Sequence, residues 1–205
     1  MPDKLLIELQ YLGPITYYSR LAEFGEVTLE AFENFKKSSY RNRCYIAGPN
    51  GRLRLSIPLI NGKHQRRLYK EVQIAYDEDW QKNHWNSLCA AYRRSPYFEF
   101  YEDHFYPYYH KRYDNLFQFN LELMKVVVDL LELPISIALT QEYIADVSNN
   151  AIDERSVIRP NAVNSADVIV YHQVFEDRTG FVPHASIVDL LFNEGPRSKD
   201  YLIKN

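Results

Sequence analysis

The chain has 205 residues, 46% of them hydrophobic, and its 27 acidic and 24 basic side chains leave a formal charge of -3. That composition supports one substantial core and a single domain over residues 1–205, and it excludes a globally basic nucleic-acid coat. Two cysteines, Cys44 and Cys89, exclude a disulfide framework and a cysteine-based zinc site, while the longest apolar tract, residues 124–139, is broken by Asp129, Glu132 and Pro134, which excludes an integral membrane span.

Residues 5–10 alternate as a half-buried strand and Gly13-Pro14 ends it, after which residues 15–24 read as a helix. That turn puts Tyr11, Thr16, Tyr17 and Tyr18 near a helix N-terminus, where free amides favour an anion, although tyrosines there also serve simple packing. Residues 26–32 alternate again, and the strand, helix, strand order predicts a parallel pair. The following segment carries Lys36, Lys37, Arg41 and Arg43 among Glu33, Asn34, Tyr40 and Asn42. If extended, Arg41 and Arg43 share a side and could grip a phosphate or carboxylate; the alternative is a solvated edge paired to Glu30 or Glu33. Pro49-Asn50-Gly51 predicts a hairpin between residues 43–47 and 53–59, with Pro58 at its end, and Asn61-Gly62 opens a second basic run, residues 63–70.

Residues 72–76 alternate as a further strand, and Asp79 is placed to cap a helix over residues 80–94 that Pro96 stops. On that helix His84, Ser87 and Tyr92 share a face with Trp80, Leu88 and Ala91. His84 is therefore the leading general base, because its ordinary pKa lies near working pH, against the plainer alternative of a satisfied structural histidine. The aromatic run 97–113 reads as core or as a lined cleft. Residues 114–133 have clear helical period, 135–143 read as a buried strand, 146–164 as a loop or flap, 168–172 as a last strand, and 186–193 as a helix capped by Ser186 with Asp189 three residues on. No glycine-rich phosphate loop, HExxH, Gly-x-Ser-x-Gly or CxxC occurs, and the six histidines are scattered, so no cofactor and no metal is named. The absence of a basic start followed by an apolar run points to a cytoplasmic protein.

The blocks YLGPITYYSRL, ENFKKSSYRNRCYI, DWQKNHWNSLCAAYRRSPYFEFY and YHQVF with GFVPHASIVDLLFNEGP resemble, in this order, those of the WbqC-like family. The resemblance spans nearly the whole chain. It implies a bacterial protein linked to surface polysaccharide (O-antigen, lipopolysaccharide) biosynthesis. It also marks Tyr11, Pro14, Asn34, Lys37, Arg41, Asn42, Arg43, His84, Tyr92, Ser95, Pro96, Tyr97, Tyr171, Gln173, Ser186 and Asp189 as functional positions. Where relatives carry an Asp-Leu-Arg-like piece, this chain has Asp146-Val147-Ser148, which shifts any ligand contact to Arg155, Arg159 or the Arg41 and Arg43 pair.

The expected architecture is α/β, a single domain with a mixed, mostly parallel sheet flanked by helices and a β-hairpin insertion. The expected activity is a group transfer to or from a small anionic substrate such as a nucleotide sugar or glycan precursor. In it His84, Lys37 and Tyr92 are catalytic, and Tyr11, Tyr17, Asn34, Arg41, Asn42, Arg43, Ser95, Tyr97, Tyr171, Gln173 and Asp189 hold the ligand. The alternative is a non-catalytic binding or scaffold protein of the same pathway. One arrangement is required of the transfer reading: His84 must border the same hollow as Arg41 and Arg43.

Overall fold

A computed structural model describes residues 4–60, 67–147, 150–160 and 168–203. Its framework is a four-stranded, all-parallel sheet in the order β5-β2-β1-β6, formed by β1 (Lys4–Glu8), β2 (Glu26–Glu30), β5 (Ser136–Leu139) and β6 (Ala151–Asp153). Leu5, Leu6 and Ile7 are all buried, so β1 is covered on both faces rather than half-buried, as a central strand of a parallel sheet must be. The crossover helix α1 (Ile15–Ala22) brings the chain back to lay β2 against β1, with Lys4 opposite Glu26 and Glu8 opposite Glu30.

The hairpin β3 (Arg43–Gly48) and β4 (Gly51–Ser56) forms a separate antiparallel pair. Three longer helices follow: α2 (Trp80–Tyr92), α3 (Phe98–His110) and α4 (Leu116–Leu130). The chain closes with α5 (Glu176–Thr179), α6 (Ile187–Glu194) and α7 (Ser198–Leu202). Helix α2 packs on α3 and β3, α3 on α4, and α1 on α6 and α7, so one continuous aromatic and aliphatic core joins the helices to the sheet. The Asn115 side chain accepts from the Gln118 amide at 2.9 Å and caps α4. No helix among the described residues is long and apolar enough to cross a membrane.

Several local expectations are corrected. The aromatic run is a helix, α3, which carries Pro107 in its last turns. Residues 72–76 make only the isolated bridges Gln73 with Asn115 and Ile74 with Leu59 beside a 3-10 turn at Tyr69–Glu71, because backbone from two different segments, and no continuous strand, lies alongside. β5 is a largely exposed edge strand, and no strand forms at 168–172. The polar stretch taken as a flap instead supplies β6, the opposite edge of the sheet; Ser148, Asn149 and residues 161–164 of that stretch lie outside the described residues, as do Asn61-Gly62 and residues 63–66 of the second basic run. Neither Asp79 nor Ser186 caps its helix by side chain: the Ser186 hydroxyl donates to the Leu12 carbonyl at 2.8 Å.

Candidate functional site

Open parallel sheets hold ligands beyond the carboxyl ends of their strands. Here those ends carry an unusual density of charge. Glu8 closes β1, Glu30 closes β2, and Asp153, Glu154 and Arg155 leave β6. Glu30 is fully buried and accepts from the Thr140 hydroxyl at 2.9 Å and from Arg155 Nη1 at 2.9 Å. Glu8 accepts from the Ser156 amide at 2.6 Å and from Gln10 at 2.9 Å. Arg41 lies among them, 1% exposed, donating through Nε and Nη2 to Glu33 Oε1 at 2.8 and 2.5 Å and through Nη2 to the Ser156 hydroxyl at 3.2 Å. A guanidinium this buried, with Nε and Nη2 committed to fixed acceptors and Nη1 4.0 Å from Glu8, positions its neighbours.

Two hollows share Phe35 as a wall, and the first borders this network. The first, about 520 Å³, is bordered by Glu33, Asn34, Lys36, Tyr143, Asp153 and Arg155. The second, about 470 Å³, is bordered by Lys37, Ser38, Asn42, Arg43 and Pro58. Their charge differs. Two acids face two bases in the first, whereas the second is lined, among the described residues, by Lys37 and Arg43 and no acid. Arg43 Nε is buried without a hydrogen-bond partner, and no carboxylate among the described residues pairs with this guanidinium. Two residues at this face, Ser38 at φ 58 and Ser156 at φ 64, hold left-handed backbone without being glycine, a strain that clusters where a site is built.

The turn through Lys37–Asn42 explains why the arginines part. The segment is not extended, so the two-residue spacing puts Arg41 inward against Glu33 and Arg43 outward at the second hollow. Of the positions marked by the sequence, Asn34 borders the first hollow and Lys37, Asn42 and Arg43 the second, with the Asn42 amide also donating to the Ile57 carbonyl at 2.9 Å.

His84 is elsewhere. It is 5% exposed, and Nδ1 lies 2.9 Å from the Tyr11 hydroxyl, which in turn lies 2.9 Å from the Tyr109 hydroxyl. Trp80 stands edge-on at 5.1 Å between ring centres. Burial drives the imidazole pKa down to about 4, opposed by a hydrogen bond to the Ser56 backbone. The buried ring is thus held neutral, with Nδ1 paired to the Tyr11 hydroxyl, and His84 borders neither hollow. Neither of these two hollows is bordered by His84 together with Arg41 and Arg43. Ser87, its expected partner, turns away and donates to the Asn83 carbonyl at 2.7 Å.

The remaining positions form two buried groups. Tyr171 and Gln173 both donate to Asp189 Oδ2, Gln173 at 2.7 Å, and Tyr92 lies beside the same carboxylate, although its hydroxyl and Asp189 Oδ1 complete no hydrogen bond of good geometry. Burial raises the Asp189 pKa to about 6 against the lowering effect of these donors. Ser95 donates to the Tyr92 carbonyl at 2.6 Å and closes α2; the Tyr97 amide donates to the Phe192 carbonyl at 3.0 Å. Gly195, at φ 56, lies so close that a Cβ there would stand 2.4 Å from the Tyr97 ring. Tyr17 is buried and donates to the Glu8 carbonyl at 3.0 Å. The expected anion site at the start of α1 is replaced by backbone pairing: the Ile15 amide donates to the Ala185 carbonyl at 3.1 Å.

Sequence reasoning named Lys36 only as one cation of its segment and passed over Asp153 and Tyr143 as site residues. The signal for Asp153 was its place at the end of a strand too short to recognise.

The model of the WbqC-like protein family matches residues 10–159. The chain is 24% identical over 228 residues to the uncharacterized protein Rv1507c of Mycobacterium tuberculosis (strain ATCC 25618 / H37Rv), covering 98% of each chain. No solved structure matches.

Proposed function

Because the chain belongs to the WbqC-like protein family, we propose that it serves bacterial surface polysaccharide assembly by holding a small anionic precursor, such as a nucleotide sugar, in the hollow of Lys37, Asn42 and Arg43. The observation that carries this is the Arg43 Nε, unpartnered among the described residues, on a wall whose described residues include no acid. A buried donor left unmatched costs about 1–3 kcal/mol, which a phosphate or carboxylate oxygen recovers through a charge-assisted bond. Placement in the cytoplasm belongs to the same proposal.

Isothermal titration with inorganic pyrophosphate and with nucleoside diphosphate hexoses tests it. Binding should weaken with added salt, and Arg43→Ala should weaken it by about tenfold or more. Equal affinity in Arg43→Ala would overturn the assignment.

A second reading, turnover by group transfer, is favoured by Glu33. Its carboxyl borders the adjoining hollow, and its pKa is raised, chiefly by burial and against the lowering effect of Arg41. A carboxyl tuned upward suits proton transfer, a task that the enclosed His84 cannot reach. Mass spectrometry of donor and acceptor mixtures separates the readings: product lost in Glu33→Gln with binding retained supports transfer, and unchanged masses for every pair leave binding alone.

A further inference from the structure

The hollow of about 520 Å³ bordered by Asn34, Glu33, Tyr143, Asp153 and Arg155 differs from its neighbour in every property that selects a ligand. Its charges are already matched. Arg155 Nη2 pairs with Asp153 at 2.7 Å and Nη1 with Glu30 at 2.9 Å, Arg41 holds Glu33, and Lys36 donates to the Ser156 hydroxyl at 2.7 Å. A wall so neutralised has little field to draw an ion. It does offer hydrogen-bonding groups fixed in direction by their pairing. Glu33 Oε1 is held by Arg41, whereas Oε2 has only Lys36 Nζ, at 4.0 Å, and no hydrogen bond among the described residues.

The other component of the lining is aromatic. Tyr143 is 55% exposed, with the Arg155 guanidinium 5.1 Å from its ring centre, and Phe32 is backed by Lys70 Nζ at 3.5 Å. Amphipathic rings beside oriented carboxyl and amide groups fit a molecule with apolar C–H faces and several hydroxyls, and the volume lies in the range of small-molecule sites. We infer that this hollow is a subsite for the uncharged polyhydroxylated ring of a sugar. Phe35, common to both hollows, sets it beside the anion subsite, so a sugar bearing a phosphate satisfies both; that joint ligand, but not the sugar subsite itself, rests on the reading above.

Saturation-transfer NMR with a panel of free hexoses and N-acetylhexosamines tests the subsite on the full chain, with inorganic phosphate titrated separately. Ring protons of at least one sugar should receive saturation. The signal should be lost in Tyr143→Ala and reduced in Asn34→Ala, two exposed positions whose circular dichroism and melting should match the wild type. Arg43→Ala should leave the sugar signal intact, and Tyr143→Ala should leave phosphate affinity within about twofold. No saturation transfer across the panel, or an undiminished signal in Tyr143→Ala, overturns the inference. Sugar signals that depend on Tyr143 in a protein that binds no phosphate would keep the sugar subsite and reject the anion reading.

Discussion

His84 and Arg43 were assigned to one site by the sequence, and the fold gives them opposite surroundings. The imidazole is packed among Tyr11, Trp80 and Tyr109 with Nδ1 paired to the Tyr11 hydroxyl, whereas the guanidinium borders a hollow with a buried Nε that nothing among the described residues satisfies. A polar group completed inside the core contributes to stability; one left incomplete beside a hollow is available for binding. The difference separates two kinds of mutational effect, and each can be measured.

The largest should come from Arg41, which belongs to the enclosed class although only one residue stands between it and Arg43. Arg41→Ala strips the buried partner from Glu33 and should lower unfolding free energy by about 3–5 kcal/mol in urea titrations. A loss below about 1 kcal/mol would place the pair in solvent.

Next is the titration of His84. Its pKa falls from the usual 6.5 to about 4 in the folded chain, so its contribution to stability is present in full above about 6.5 and is lost as pH falls through about 4. Two and a half units correspond to about 3 kcal/mol. Asp189 acts in the opposite sense. With its pKa raised to about 6, its contribution is complete below about 4 and is lost as pH rises through about 6. Denaturation from pH 4 to 7 in Asp189→Asn therefore exposes the His84 component, and the imidazole resonances should titrate near 4. A midpoint near 6.5 would mean that water reaches the ring.

Smaller again is the effect of Arg43→Ala on ligand affinity, about 1.5–3 kcal/mol for a charge-assisted bond. Smallest is its effect on folding, within about 0.5 kcal/mol, because this half-buried side chain has no hydrogen bond or ion pair among the described residues to lose. A large loss of stability in Arg43→Ala would erase the distinction from Arg41.

The sequence made the framework legible where a single period dominates. The Leu116, Phe119, Leu123, Val127 spacing marks α4, and Pro49-Asn50-Gly51 marks the hairpin turn. It concealed α3 because a ring at every second or third position blurs the amphipathic period, and β6 because three residues in a polar stretch form a strand only when Lys4–Leu6 lies alongside. The alternation at 168–172 has a different cause: Tyr171 and Gln173 are spaced to reach Asp189, with no sheet edge involved. For the site, residue type drew attention to residues 34–43, but the direction of each side chain depends on the turn at Ser38, which local spacing does not encode. His84 resembled a base because its neighbours in sequence are polar, whereas its neighbours in space include Tyr11 and Tyr109, from other segments of the chain.

An amide-resolved NMR titration with inorganic pyrophosphate tests the division between these two regions most directly. The amides of Lys37, Ser38, Asn42 and Arg43 should shift together and saturate, while those of α2 around His84 stay in place. Saturable shifts centred on His84, with residues 37–43 unmoved, would contradict it.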